Sequence, residues 1–223
     1  MDTVNKLTQA ETACNLIRIE ILDGQLLPGS KLNIKALESR LNVSLGAIRE
    51  ALSRLHAEGL VMAEAQRGYT VVPVSAQDLR DLTKTRVDID ALCLREAIQH
   101  GDIEWEARIV GAAHRMERLQ DLPAAVEGGR TTPVWNQAHG DFHDALVSAC
   151  PSAWLLRIRK LLYEQSERYR RLAVPLESTH RDVRGEHRRL MDAVLGRDEA
   201  SALKELHAHI HATADVILKS LKF

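Results

Sequence analysis

The sequence predicts a mostly α-helical protein in two parts, with a small β-hairpin closing the first part. Aromatic residues make up only 4% of the 223 residues, and 27% are charged, a balance that favours helices packed through aliphatic side chains. Breakers such as Pro28-Gly29 divide residues 1–74 into short segments, and the β-branched run at 69–72 follows them. Residues 75–223 contain long helical patterns with few breakers. We therefore place a domain boundary between residues 74 and 75.

Composition excludes some classes of protein and leaves others open. No apolar run is long enough to cross a bilayer, and the N-terminus lacks the basic-then-apolar pattern of an export signal. The three cysteines are far apart, which is typical of reduced thiols. These features predict a cytoplasmic protein with no membrane partner. The net charge of -1, with eight basic and eight acidic residues in 1–74, neither favours nor excludes nucleic-acid binding.

The first part predicts three helices followed by two strands. Gly59 is placed to end the third helix, and the tight turn at Asn42 and Val43 precedes that helix. The predicted helices cover 8–23, 34–41 and 44–57, and the predicted strands cover 60–64 and 69–73. This order is that of a winged helix-turn-helix, in which the last helix enters the major groove and the β-hairpin is the wing.

The third helix has two faces of different chemistry. One apolar stripe would bury it: Ile48, Ala51, Leu52 and Leu55. The opposite side carries Leu45, Arg49, Ser53 and His56. Ser44 is a natural N-cap whose helix start would direct backbone N–H groups at a phosphate, and the wing tip offers Arg67 and Gly68. This pattern fits both a DNA-reading helix and an ordinary helical hairpin with a solvated polar face.

The second part predicts an all-α bundle of six helices, over 75–100, 102–122, 132–149, 152–174, 178–195 and 198–221. Four of the ten histidines fall on inward faces of these helices. His139 and His143 are four residues apart on one face, His187 lies on a buried stripe, and His209 lies nearest the inward face of the last helix. Four imidazoles would suit Zn²⁺ or Ni²⁺ rather than Mg²⁺ or Ca²⁺. They could equally be core-edge histidines held by hydrogen bonds.

Five short motifs stand out in the first part: LPGSKL at 27–32, LESRLNVS at 37–44, IREAL at 48–52, LHAEGLV at 55–61 and RGY at 67–69. Together they resemble the GntR family of regulators. The resemblance implies DNA contacts from Lys35, Ser44, Arg49, Arg67 and Gly68. The chain departs from the family at 45–47, where Arg, Thr and then Pro or Thr are usual and Leu, Gly and Ala stand here. Leu45 cannot make a bidentate contact to guanine, although it could meet a thymine methyl group.

The second part has its own set of motif residues: Arg86, DFHDAL at 141–146, Glu186-His187 and His209-Ile210. They resemble the FCD ligand-binding domain of one GntR branch, and six helices resemble its VanR-like members. The resemblance implies a metal held by His139, His143, His187 and His209. At position 139 the family more often has Asp, whose carboxylate leaves a divalent ion at +1. Histidine stands there in this chain, so four neutral imidazoles would leave the ion at +2. We hypothesise that a small organic acid completes the site, with Arg86, Tyr163 and Ser166 as contacts.

These features predict a metabolite-responsive transcription regulator, not an enzyme, that binds a two-fold operator in double-stranded DNA as a homodimer. A metal-dependent hydrolase built on the histidines is an alternative. Its candidate bases, Asp141, Asp144 and Asp192, lie away from the histidine faces. A helical interaction module that binds neither metal nor DNA is a third class, which the wing hairpin disfavours. The sequence does not specify the operator, the effector or the direction of regulation.

Overall fold

The structure, a computed structural model, describes residues 7–64, 68–121, 126–127, 130–173 and 181–221. The chain divides into two compact units, Met1–Ser75 and Ala76–Phe223. The predicted fold class is confirmed, because helices predominate and a small antiparallel sheet closes the first unit. No helix in these described ranges is both long and apolar enough to span a bilayer.

Where the first unit is described, it forms three helices and a three-stranded sheet. Its elements in chain order are α1 (Gln9–Leu22), β1 (Lys31–Leu32), α2 (Ile34–Leu41), α3 (Leu45–Ala57), β2 (Val61–Glu64) and β3 (Gly68–Val71). Side-chain caps fix where the helices start: Thr8 forms a capping box with Glu11, and Asn33 accepts the backbone N–H of Ala36. Asn42 ends α2 in the left-handed conformation, which shortens the turn into α3.

The sheet of the first unit has one strand more than the sequence predicted. Its order is β1-β3-β2, both pairings are antiparallel, and Lys31 of β1 lies opposite Thr70 of β3. A two-residue strand shows no alternation of its own, so only its distant partner reveals it. The apolar face of the sheet and the three helices share one core, which contains Ile17, Leu52 and Val71.

The described residues of the second unit form six helices, as predicted: α4 (Ala76–His100), α5 (Ile103–Gln120), α6 (Pro133–Val147), α7 (Ala153–Leu172), α8 (Val183–Leu195) and α9 (Glu199–Ser220). α4 packs on α6, α7 and α9, α5 packs on α6 and α8, and α8 packs on α9. The segment predicted as a loop between α5 and α6 contains a small antiparallel pair, β4 (Val126–Glu127) and β5 (Arg130–Thr131).

The core of the second unit is aliphatic, with two large aromatic side chains at its centre. Trp105 and Phe142 are fully buried among side chains of α4, α8 and α9. The indole of Trp105 donates to the carbonyl of Ala145 at 2.9 Å, which satisfies its only polar atom. Phe142 lies between His139 and His143 in sequence, so the packing of this core fixes the helix face that carries both imidazoles.

Candidate functional site

The exposed face of α3 is the first candidate surface. Its buried residues are the four of the predicted apolar stripe, Ile48, Ala51, Leu52 and Leu55, together with Ala47. On the other side Arg49, Ser53 and His56 are exposed and Leu45 is half-buried. The imidazole of His56 contacts the carbonyl of Val61 at 2.8 Å and is therefore tied to its own unit. Arg49 and Ser53 remain free to meet a partner.

The start of α3 is held by two hydrogen bonds. The Ser44 hydroxyl oxygen accepts the backbone N–H of Ala47 at 3.2 Å, as an N-cap does. The backbone N–H of Ser44 in turn donates to Oε1 of Gln9 at 3.2 Å. Gln9, the first residue of α1, was not among the predicted site residues. It fixes the exposed tip of α3 against α1.

Ion pairs within the first unit leave two cations near α3 available. Three of its arginines are neutralised internally: Arg18 by Glu58, Arg40 by Glu20 and Arg54 by Glu50. Lys35 and Arg49 are exposed, and neither forms an ion pair within the described part of the chain. Each internal pair removes one charge of either sign, so the unit stays neutral overall, but these two cations can meet an anion.

The wing tip is only partly described. Gly68 is exposed and has a φ of +89°, a conformation that a residue with a side chain rarely adopts. Arg67, the other predicted contact of the wing, lies outside the described residues.

The four predicted histidines converge in the second unit. His139 and His143 come from α6, His187 from α8 and His209 from α9, and all four are buried. Each offers one ring nitrogen to a group in which all the nitrogens lie within 4.8 Å of one another. The Nε2 atoms of His139 and His143 are 3.2 Å apart. That separation lets both nitrogens bind one ion at the usual distance of about 2.1 Å.

A carboxylate orients the imidazole of His209. Its Nδ1 lies 2.9 Å from Oε2 of Glu186, and Nε of Arg181 donates to Oε1 of the same carboxylate at 2.6 Å. Burial alone would raise the pKa of Glu186, but the hydrogen bonds from His209 and Arg181 lower it to about 2. The carboxylate is therefore ionised, accepts the Nδ1 proton and leaves Nε2 of His209 unprotonated.

A phenol and an indole position His139. The Tyr163 hydroxyl lies 3.2 Å from Nδ1 of His139, and the Trp135 ring stacks on this imidazole at 4.9 Å. The guanidinium groups of Arg86 and Arg159 lie 5.0 and 5.3 Å from the centre of the Tyr163 ring. Tyr163, predicted as an effector contact, thus touches a predicted metal ligand.

The protonation state of the cluster suits a metal. Burial lowers the pKa of His139, His143 and His187 well below the ordinary value, and it also lowers that of His209. Neutral imidazoles have a lone pair to give to an ion. Nε2 of His187 is buried and has no hydrogen-bond partner among the described residues, which is costly unless something else satisfies it. The donor set therefore fits a divalent transition-metal ion.

A cavity of about 30 Å³ opens beside the cluster. Arg86 and Ser166, two of the predicted effector contacts, lie in its wall, whereas Tyr163 does not. The wall has three arginines, each paired with a carboxylate over 2.6–3.1 Å: Arg86 with Asp90, Arg170 with Glu167 and Arg181 with Glu186. Only the first of these arginines was predicted. Arg170 and Arg181 belong to no local motif. From the sequence alone, each would be interpreted as a charge on a solvated helix face.

Known families match both units of the chain. The family described as "Bacterial regulatory proteins, gntR family" matches residues 9–71, and the FCD domain matches residues 81–212. Together these matches span most of both units.

Individual proteins match over nearly the whole chain. The sequence is 42% identical over 212 residues to the uncharacterized HTH-type transcriptional regulator BphR of Paraburkholderia xenovorans, covering 93% of this chain and 84% of that one. It is 33% identical over 210 residues to the HTH-type transcriptional repressor GlaR of Escherichia coli, covering 92% and 94%. The solved structure of E. coli McbR/YncC has a TM-score of 0.77 at 16% identity, covering 96% and 98%, which shows a common fold.

Proposed function

Since this chain belongs to the GntR family and carries an FCD domain, it is a DNA-binding transcription regulator, and we propose that it reads its operator through the exposed face of α3. One observation carries this proposal: Arg49 is an exposed cation on that face, and no carboxylate among the described residues neutralises it. Ser44 and Lys35 would add contacts to phosphates, and Arg67 and Gly68 would approach the backbone from the wing.

Replacement of Arg49 by alanine tests the proposal directly. A gel-shift titration of the DNA upstream of the chain's own coding region should show operator affinity falling by about tenfold or more, as for loss of one bidentate base contact. Arg54→Ala is the matched control, because Arg54 lies on the same helix but pairs with Glu50 at 2.5 Å. The operator affinity of the Arg54→Ala control should lie within about twofold of that of the unchanged protein. Equal operator occupancy for Arg49→Ala and the unchanged protein would refute the proposal.

The second unit, in this proposal, holds Zn²⁺ or Ni²⁺ through His139, His143, His187 and His209. Nitrogen-only ligands favour these ions over Mg²⁺ and Ca²⁺, which prefer oxygen. The bound ion would supply a positive charge in a cavity whose arginines are already neutralised. Elemental analysis of protein purified without added metal should find about one transition-metal ion per chain. A double replacement of His143 and His187 by alanine should abolish that content.

The effector in this proposal is a small organic acid. Four neutral ligands leave a divalent ion with two uncompensated charges, so an anion is favoured beside it. The cavity volume of about 30 Å³ accommodates roughly two waters, so a larger acid would have to displace wall side chains. Such displacement offers a route from effector binding to conformational change.

Calorimetry separates this effector class from others. Acetate, malonate, succinate and benzoate would each be titrated into metal-free and zinc-loaded protein. At least one acid should bind the loaded form more tightly by tenfold or more, because only that form has the uncompensated charge. Equal affinities in both forms would contradict a metal-bound carboxylate while leaving the DNA-binding proposal intact.

The regulator would act as a homodimer, since two copies match the two-fold symmetry of a palindromic operator. Three apolar side chains on one side of α7 support this proposal: Trp154, Ile158 and Leu161 are 71%, 42% and 44% exposed at i, i+4 and i+7 spacing. An apolar helix face of this kind is typical of an interface between subunits.

A further inference from the structure

We propose that Leu45 reads a thymine in each operator half-site through van der Waals contact with the C5-methyl group. This inference rests on the proposed role of α3 and adds a specificity-determining residue to it. The base contact is apolar, so it selects a different base from the one that an arginine at this position would select.

The first support is the position of Leu45 relative to the core. The structure packs several half-buried hydrophobic residues against the core of the first unit, among them Val43 and Leu41. Leu45 is half-buried but belongs neither to that core nor to the residues packed against it. Its side chain is therefore not one of the groups that build the apolar core, and its exposed part lies at the first turn of α3.

The second support is the alignment of Leu45 with the exposed polar residues of α3. Leu45, Arg49 and Ser53 are spaced by four residues, so their side chains lie above one another on one helix face. Leu45 is the first residue of α3, and the N-terminal residues of a recognition helix are those that contact base edges. The face thus presents one apolar contact and one guanidinium to successive base pairs.

The third support is that the neighbours of Leu45 leave it room to approach a base. Gly46 is exposed, and a Cβ built on it would meet only the Ser44 hydroxyl, at 4.0 Å. Ser44 itself is tied back to Gln9 and to the backbone of Ala47. With small side chains on both flanks, Leu45 is the bulkiest group at the helix tip and would make the closest approach to the groove floor.

The test begins with selection from a random duplex library by the full-length, zinc-loaded protein. In the selected half-site each thymine is then replaced singly by uracil, which removes only the C5-methyl group. One replacement should weaken binding by about fourfold per half-site, the value for losing one buried methyl group.

Leu45→Ala should bind the thymine and uracil duplexes equally, which would assign the lost methyl contact to this side chain. Ile19→Ala is the control, because Ile19 is 47% exposed on α1, away from the α3 tip, and should keep the fourfold discrimination.

A gain-of-specificity variant provides an independent measurement. Leu45→Arg should shift the preferred base at the same position from thymine to guanine, since arginine pairs with O6 and N7 of guanine. If no thymine-to-uracil replacement weakens binding, or if Leu45→Ala keeps the same discrimination, Leu45 does not read a methyl group although the chain still binds DNA. If selection enriches no sequence and no duplex is bound, the proposed function fails and this inference fails with it.

Discussion

Glu186 would support the proposed metal site without being one of its ligands. Its carboxylate accepts from Nδ1 of His209, and Arg181, which also donates to the His209 carbonyl at 2.9 Å, holds it in place. A hydrogen bond from Nδ1 to a carboxylate raises the basicity of the opposite ring nitrogen and fixes the ring orientation. Removing the negative charge should therefore weaken metal binding even though all four ligands remain.

Glu186→Gln is the corresponding prediction. Zinc affinity, measured by competition with a chromophoric chelator, should fall by about 10- to 100-fold, as when other partners of ligating histidines are removed. Glu205→Gln is the matched control, because Glu205 lies one turn before His209 on α9 and pairs with Arg189 on the surface. An unchanged zinc affinity in folded Glu186→Gln protein would show that this carboxylate does not tune the site.

Helical periodicity was sufficient to predict the four histidines as a group, because it assigns each one to the inward face of its own helix. The residues around them were not predictable in the same way. Arg181 reaches His209 across 28 residues, and Tyr163 reaches His139 across 24, so both contacts depend on how separate helices pack. A single sequence contains no signal for such pairs, although Glu186 could have been suspected from its place beside His187.

At the scale of elements, the histidine cluster joins three helices that are distant in sequence. α6 supplies two of the four imidazoles, α8 supplies one and α9 supplies one. A metal ion that binds this folded arrangement but not the unfolded chain stabilises it by mass action. The ion would thus act as a cross-link inside the second unit.

Metal removal should therefore lower the melting temperature of the second unit. At free zinc about 1,000 times the dissociation constant, the gain is about 4.1 kcal/mol. For a domain of this size that corresponds to a shift of about 10 °C. Differential scanning calorimetry with EDTA and with added zinc measures the shift. The variant with both His143 and His187 replaced by alanine should melt at the same temperature under both conditions, and a wild-type melting temperature that ignores EDTA would contradict the prediction.

The elements that sequence patterns predicted well are those with their own local signals. Ser44 and Gly59 mark the two ends of α3, and the structure has them as N-cap and as the left-handed residue, φ +72°, that follows the C-cap. β1 has no such signal, because its two residues form a strand only through Tyr69 and Thr70, almost forty positions later. β4 and β5 lie close together in the sequence, but with two residues each they show no alternation that would reveal them.

At the scale of the whole molecule, the exposed face of α7 leads to a prediction about assembly. Trp154→Glu places a charge on the most exposed of its three apolar side chains and should convert dimers to monomers in sedimentation experiments. Operator affinity should fall with it, since one protomer reads one half-site. Ile103→Glu, at a 72% exposed residue of α5, is the control and should stay dimeric. A dimer that persists in Trp154→Glu would place the interface on another surface.

Regulation also requires a path from the cavity to the chain segment that joins the two units. Near the end of α7, Glu167 and Arg170 line the cavity, whereas Tyr169 between them is fully buried and donates to the carboxylate of Asp78. Asp78 lies in the first turn of α4, next to Leu79, which also lines the cavity. Because α4 begins directly after Ser75, where the first unit ends, displacement of the cavity wall would redirect this turn.

Tyr169→Phe should therefore uncouple sensing from DNA binding. The affinity for zinc and the calorimetric affinity for the organic acid should both stay within about twofold of those of the unchanged protein. The lost hydroxyl touches neither the zinc nor the acid, and the phenyl ring still fills its place. The ratio of operator affinities with and without the acid should fall towards one. Asp78→Ala removes the acceptor of this hydrogen bond and also the ion pair with Arg168 at 3.9 Å, so it should reduce the ratio at least as far, and the double variant should reduce it no further than Asp78→Ala alone. Ser148→Ala, which removes a hydroxyl bonded to the Ala145 carbonyl, is the control and should keep the full ratio. If the ratio of operator affinities with and without the acid is the same in Tyr169→Phe as in the unchanged protein, the signal leaves the cavity through another contact of α4.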